Sequence, residues 1–154
     1  MVRRTKAEAL QTRAQILDAA EQVFHRKGVL SASLKDIASE AGVTRGAIYW
    51  HFKNKHDVFM AMVDRGRLPF DSLAERAEDA SELDPLGRLH DFMVYLLQQA
   101  VRDPAQRRLF EIMFQKCEFS GENADLLDRQ RDACRDSSAR LARTFRNAMA
   151  RGQL

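Results

Sequence analysis

Two cysteines, three prolines and seven glycines in 154 residues leave little that could staple, break or bend the chain. Cys117 and Cys134 lie far apart, with no Cys-x-x-Cys and no histidine at ligand spacing. A disulfide or a zinc site is therefore the weaker reading, and two small buried hydrophobic side chains the stronger. No run of about 18 apolar residues occurs, and none follows the basic start Met1-Val2-Arg3-Arg4-Thr5-Lys6 as a signal peptide requires. The expectation is a soluble, cytoplasmic protein with no membrane partner. No Val/Ile/Thr-rich alternation argues for a sheet. A nucleophile elbow, a phosphate loop, metal spacing and an isolated carboxylate pair are also lacking, so neither catalysis nor a cofactor is expected.

What is present favours helix. Apolar residues make up 45% of the chain, enough for one good core or two small ones, and Ala, Leu, Glu, Gln, Arg and Met fill the long stretches. The expected fold class is all-α. Charge is uneven: residues 1–56 hold ten Lys and Arg against five Asp and Glu, while residues 57–154 hold fifteen against seventeen. The basic end is the one to suspect of meeting phosphate.

The first helix should run from Lys6 to Lys27, on a stripe of Leu10, Ala14, Leu17, Ala20 and Phe24, with Gly28 as its stop. Ser33, with Asp36 three residues on, caps a short second helix whose inner face is Leu34, Ile37, Ala38 and Ala41. Thr44 caps a third helix ending near Phe52, and Asn54 a fourth that starts with Val58, Phe59, Met62 and Val63. Gly66 and Pro69 are places where that helix is expected to bend or break. Asp84-Pro85 and Asp103-Pro104 open the fifth and sixth helices, each an N-cap followed by proline. The seventh repeats Leu127, Cys134, Leu141 and Ala148 every seven residues, with Ser138 and Phe145 between, until Gly152. His25, His56 and His90 are scattered without partners and read as solvated or packed.

Between the second and third helices lies Ala41-Gly42-Val43-Thr44, a turn so short that the helices must cross steeply. On the third helix Ile48 and Phe52 face inward with Val43, which leaves Arg45 and Tyr49, four apart, outside. Gly46 leaves the backbone bare for close approach. Arg45 suits a bidentate contact to guanine, while Tyr49, Trp50 and His51 offer a thymine-methyl contact or donors to phosphate. Trp50 reads equally well as packing. Ser33 and Lys35 on the second helix join the candidates. Lys53 and Lys55 extend the basic rim, and Lys55 in the first turn of the fourth helix can share a phosphate with free backbone N–H groups. The arm Arg3-Arg4-Lys6 suits a minor groove or a disordered tail.

Ser33-Leu34-Lys35-Asp36-Ile37-Ala38, followed by Ala41-Gly42-Val43-Thr44-Arg45-Gly46-Ala47-Ile48-Tyr49-Trp50-His51-Phe52-Lys53-Asn54-Lys55, resembles the pattern of the TetR family of repressors. Shorter matches continue through Asp84-Pro85-Leu86-Gly87, Arg107-Arg108, Lys116-Cys117-Glu118-Phe119 and Arg151-Gly152-Gln153-Leu154, which look like the AcrR and TtgR type that controls multidrug efflux pumps. The resemblance implies that the third helix reads DNA and that positions matching Thr44, Arg45, Tyr49, His51 and Lys55 touch it. It also implies a DNA-binding domain over residues 1–54, with its motif at 33–52, and a helical ligand-binding regulatory domain over residues 55–154. The alternative is a helical ligand-binding or interaction module whose DNA unit is idle.

In the regulatory half Leu89, Phe92, Met93 and Leu96, then Phe110, Met113 and Phe114, then Cys134, Ser137 and Leu141 form helical stripes. By themselves they read first as an ordinary core and second as a cavity. The resemblance implies a drug pocket at these positions, and an aromatic lining with Glu78 or Ser137 as a polar handle suits amphipathic small-molecule inducers. Double-stranded operator DNA is the second implied partner. Relatives continue past Arg151-Gly152-Gln153-Leu154 into two helices that pair between subunits, so a homodimer is the form expected of the full-length family. A C-terminally incomplete regulatory domain that dimerises poorly alone is the expectation for the present 154 residues.

Overall fold

The computed structural model describes residues 5–115 and 124–154, and among them seven helices and no strand. They are α1 (Lys6–Lys27), α2 (Leu34–Ala41), α3 (Arg45–His51), α4 (Lys55–Glu78), α5 (Pro85–Arg102), α6 (Pro104–Gln115) and α7 (Ala124–Ala150). No helix among the described residues is long and apolar enough to cross a membrane. Two compact units result, one built from residues up to Gly66 together with α6 from Arg108 onward, the other from residues 67–107 and α7. The turn at residues 54/55, where the sequence places a domain division, separates α3 from α4. The compact units divide instead at Gly66, because Val58, Phe59, Met62 and Val63 of α4 are buried and belong to the first.

In the first unit α1, α2, α3 and α4 each start on a side chain that satisfies a backbone N–H the helix leaves open. Thr5 and Glu8 bond reciprocally at the start of α1, and Ser33 and Asp36 do so at the start of α2. Thr44 accepts from the Ala47 N–H at 3.1 Å, and Asn54 from the Asp57 N–H at 2.9 Å. Ile16, Leu17, Ala20, Val23 and Phe24 of α1 form the core with Ile37, Ile48, Phe52, Val58, Phe59 and Met62. Leu109 and Ile112 of α6 are buried in the same unit.

The apolar stripe expected on α1 is buried only from Leu17 onward. Leu10 is 60% exposed and Ala14 is also exposed, whereas Thr12, its hydroxyl donating to the Glu8 carbonyl at 2.9 Å, is buried. Leu10 lies one heptad before Leu17, on the same face, but at a turn that no described residue covers. Gly66 and Pro69 do not break α4, which runs on to Glu78.

In the second unit α5 packs on α7. Asp84 caps α5 by accepting from the Gly87 N–H at 2.9 Å, and the Gln153 amide donates to the same carboxylate oxygen at 2.6 Å while accepting from the Leu86 N–H. Arg151 donates to the Ala80 carbonyl at 2.9 Å, so the Arg-Gly-Gln segment closes over the start of α5. Of the α7 stripe, the burial of Leu127 lies outside what is described, and from Cys134 onward the stripe is covered only near its end. Thr144 and Ala148 are buried, whereas Leu141, Phe145 and Cys134 are exposed. Cys134 is thus not the buried hydrophobe the sequence suggested. Cys117, the Lys116-Cys117-Glu118-Phe119 match and the arm residues Arg3 and Arg4 lie outside the described residues.

Candidate nucleic-acid interface

The turn into α3 works by backbone conformation. Gly42 takes φ 65° and ψ 29°, the left-handed region that L side chains avoid, although a methyl group there would meet nothing within 4 Å. Its N–H and that of Val43 return to the Ala38 carbonyl, which ends α2 and turns the chain within two residues. Ile48 is fully buried and Phe52 nearly so, and both anchor α3 to the unit's core. With these two seated, the rest of the helix is left outward: Arg45, in its first turn, is exposed, Tyr49 is 51% exposed and Trp50 72%. Trp50 is not the packing residue that one sequence reading allowed. Its ring stands edge-on to His51 at 4.5 Å.

Each remaining candidate has a defined setting. The Arg45 guanidinium lies 6.0 Å from the Tyr49 ring centre and 3.5 Å from its hydroxyl, a pairing at the limit of a hydrogen bond that leaves the planar fork aimed at solvent. The Thr44 oxygen accepts at the cap, so its proton is available to an acceptor. A Cβ at Gly46 would meet the Thr44 hydroxyl at an ordinary 3.7 Å, so no described residue requires glycine there. Lys35 is exposed on α2.

The α2 helix is held to α1 by two ion pairs, Lys27 with Asp36 at 2.8 Å and Arg26 with Glu40 at 2.6 Å. The Lys27 ammonium and then the Ser33 hydroxyl and N–H hold the Asp36 carboxyl at about 2, below its ordinary 3.8. A depressed carboxyl stabilises the fold above its unfolded pKa and stops doing so as pH falls through the folded one. The Asp36 contribution is therefore complete above about pH 4 and lost towards pH 2. In Asp36→Asn the corresponding fall in unfolding midpoint over that window should be missing, as urea unfolding at a series of pH values would read.

Lys55 occupies a place its position in the sequence does not disclose. Its ammonium donates to the carbonyls of Leu30 and Ala32, both at 2.9 Å, and so ties the start of α4 to the loop between α1 and α2. This geometry makes Lys55 first a clamp. We expect Lys55→Met to melt at lower temperature while the salt slope of duplex binding holds; a slope flattened by about one unit would instead return Lys55 to a phosphate.

The ligand candidates fall in both units. Phe110, Met113 and Phe114 belong to the first, where the rings of Phe110 and Phe114 stack at 6.3 Å and Phe114 is 74% exposed. Leu89, Phe92, Met93, Leu96, Cys134, Ser137 and Leu141 belong to the second, with Leu89, Phe92 and Leu96 half-buried and the others exposed. The Glu78 carboxylate, expected as a ligand handle, is held by Arg143 at 2.6 Å and faces Arg140 at 3.8 Å, which fixes the end of α4 to α7. A ligand would have to displace those arginines.

The second unit contains a cleft of about 470 Å³ lined by Ser72, Leu73, Arg76, Arg88, Asp91, Phe92 and Tyr95, of which the sequence reading had named Phe92 alone. Arg88, Asp91, Phe92 and Tyr95 follow the spacing of one helical face, a signal that the search for apolar stripes passed over. Two residues on α1 have partners that their sequence neighbourhood does not disclose. His25, which shows no partner in the sequence, meets Glu111 of α6, and Glu21 pairs with Arg108. Partners more than 80 residues away leave no local signature.

Comparison with known proteins agrees with this architecture. Residues 16–62 match the family model "Bacterial regulatory proteins, tetR family", and residues 84–154 match "MAATS-type transcriptional repressor, C-terminal region". The regulator TtgR of Pseudomonas putida is 43% identical over the whole chain, which covers 73% of it. NalD, the secondary repressor of the MexAB-OprM multidrug efflux pump in Pseudomonas aeruginosa, is 41% identical over 80% of the chain with a TM-score of 0.71. The chain spans 62% of the NalD chain, less than two thirds. SmeT, the repressor of the Stenotrophomonas maltophilia pump SmeDEF, is 38% identical, and its triclosan complex superposes with a TM-score of 0.85 over 92% of this chain and 68% of that one.

Proposed function

This chain belongs to the TetR family of bacterial regulatory proteins, and from that membership we propose that it represses transcription by binding a palindromic operator of a multidrug efflux operon, from which amphipathic drug-like ligands release it. The observation that carries the DNA-binding part is the exposed pair Arg45 and Tyr49 on a short helix that buried Ile48 and its C-cap Phe52 lock to the core. A rigid scaffold that presents a fork-shaped donor and an aromatic ring, beside a glycine the protein itself does not need, suits the floor of a major groove. Efflux control is supported by the relatives, since NalD and SmeT are both named as repressors of such pumps. A small-molecule inducer is supported by the triclosan complex of SmeT. The whole protein acts as a homodimer in this reading, with two recognition helices about 34 Å apart on one face of the duplex.

A duplex-binding titration at several salt concentrations tests the proposal. With fragments drawn from DNA beside the gene, binding should be sequence-selective and fall steeply with salt as phosphate counterions are released. A shallow slope without sequence preference would leave a helical ligand-binding module with an idle DNA unit. Adding triclosan should weaken operator binding, and by linkage operator should weaken triclosan binding by the same factor. Equal triclosan affinity with and without operator would remove induction by that compound.

A further inference from the structure

Of the charged side chains among the described residues, Glu21 is the one the fold buries. It lies on α1, flanked by the core residues Ala20 and Val23. Arg108 of α6 donates through Nε to one of its oxygens at 2.8 Å, and Arg65 of α4 approaches the other at 3.8 Å while donating to Asp18 at 2.8 Å. One turn further along both helices, His25 of α1 meets Glu111 of α6. The two rungs have opposite polarity: acid on α1 and base on α6 in the first, base on α1 and acid on α6 in the second. Leu109 and Ile112, also on α6, are buried in the same unit.

Polarity and burial together make this join selective for one register. A slip of α6 by one turn would bring Glu111 towards Glu21, acid against acid, or carry Arg108 away and leave a buried carboxylate short of its closest partner. Stripping one partner from a buried ion pair is far more costly than replacing both. The α6 helix thus holds α1 in one paired position, and α1 packs directly on α2 and α3.

We propose that the Glu21–Arg108 ion pair and the His25–Glu111 hydrogen bond form a two-rung polar latch that holds α1 in the DNA-binding arrangement, and that freeing α6 from it is how a regulatory signal reaches α2 and α3. The latch rests on the repressor reading given above. Because coupling between sites is reciprocal, DNA bound at α3 should tighten the latch, which makes it readable from α6 without any inducer.

The test is hydrogen exchange on the full chain, with and without a duplex selected from a random-sequence pool. In the wild type, the duplex should slow exchange of residues 109–115 about fivefold or more. In Arg108→Met that slowing should vanish while duplex is still bound, and Arg108→Lys, which keeps the charge but not the fork, should retain part of it. Undiminished slowing in Arg108→Met, or none in a wild type that binds the duplex, would overturn the latch. Should Arg108→Met not fold, Glu111→Gln on the more exposed rung decides instead, since an unchanged response there also overturns it. A wild type that selects no duplex at any salt sinks the repressor reading and the latch with it, whereas duplex binding without a response at α6 sinks the latch alone.

Discussion

Arg45→Ala is expected to weaken binding to the selected operator by about 1–3 kcal/mol, roughly five- to 150-fold, and to relax preference at a single base pair. The reason lies in the setting of the side chain. Arg45 begins α3, directly after the Thr44 cap, so its backbone is fixed, while its guanidinium is exposed and, among the described residues, meets the Tyr49 ring and hydroxyl. A planar fork held at its base and free at its tip can donate two parallel hydrogen bonds to the O6 and N7 edge of guanine. Arg45→Lys should keep attraction to phosphate and lose the fork, giving intermediate affinity with relaxed base preference. Titration against the operator and its single-base variants reads both effects. Unchanged preference at every position in Arg45→Ala would show that this residue does not read a base.

A comparably large effect is expected on stability from Phe24→Ala, which should cost about 3–5 kcal/mol. Phe24 is fully buried, and its ring meets that of Phe59 on α4 edge to face, with centres 5.7 Å apart. Its carbonyl also accepts the Gly28 N–H that ends α1. Deleting the ring opens a void between α1 and α4 that close-packed neighbours fill only in part. Against a typical domain stability of about 5–15 kcal/mol, such a loss leaves a large unfolded population under mild denaturant. Leu10→Ala, on the same helix at an exposed turn, should stay within about 0.5 kcal/mol. Urea unfolding of the two variants provides the comparison, and equal midpoints would mean that the α1–α4 contact contributes little.

The contrast between Phe24 and Leu10 marks where sequence reasoning stops. Both are apolar and both fall on the stripe expected of α1, yet a stripe becomes core only where another element covers it. Leu141, Phe145 and Cys134 of α7 repeat the lesson, for their seven-residue spacing is plain and their burial is absent. Likewise Lys55 reads as a phosphate ligand from its place in a first turn, while its ammonium is occupied by two carbonyls more than 20 residues back.

The sequence by itself determined the helices and the shape of the reading head. Thr5, Ser33, Thr44, Asn54, Asp84 and Asp103 each bond to N–H groups within the next few residues, and Gly42 is required by the dihedral angles of its own turn. Such signals act within one helical turn, so they can be read without knowing any tertiary contact. The outward setting of Arg45 does not follow in the same way: it lies three residues before Ile48 and seven before Phe52, so the 100° step alone does not separate them, and its exposure beside Tyr49 is decided by how the short α3 and the extended Phe52 seat in the core. Only the tertiary structure decided which charges meet. Glu21 finds Arg108 at a separation of 87 residues and Glu78 finds Arg143 at 65. Nothing within a turn of either carboxylate names its partner, since that choice depends on which helices pack together, and packing is settled by the summed burial of many side chains rather than by any one of them.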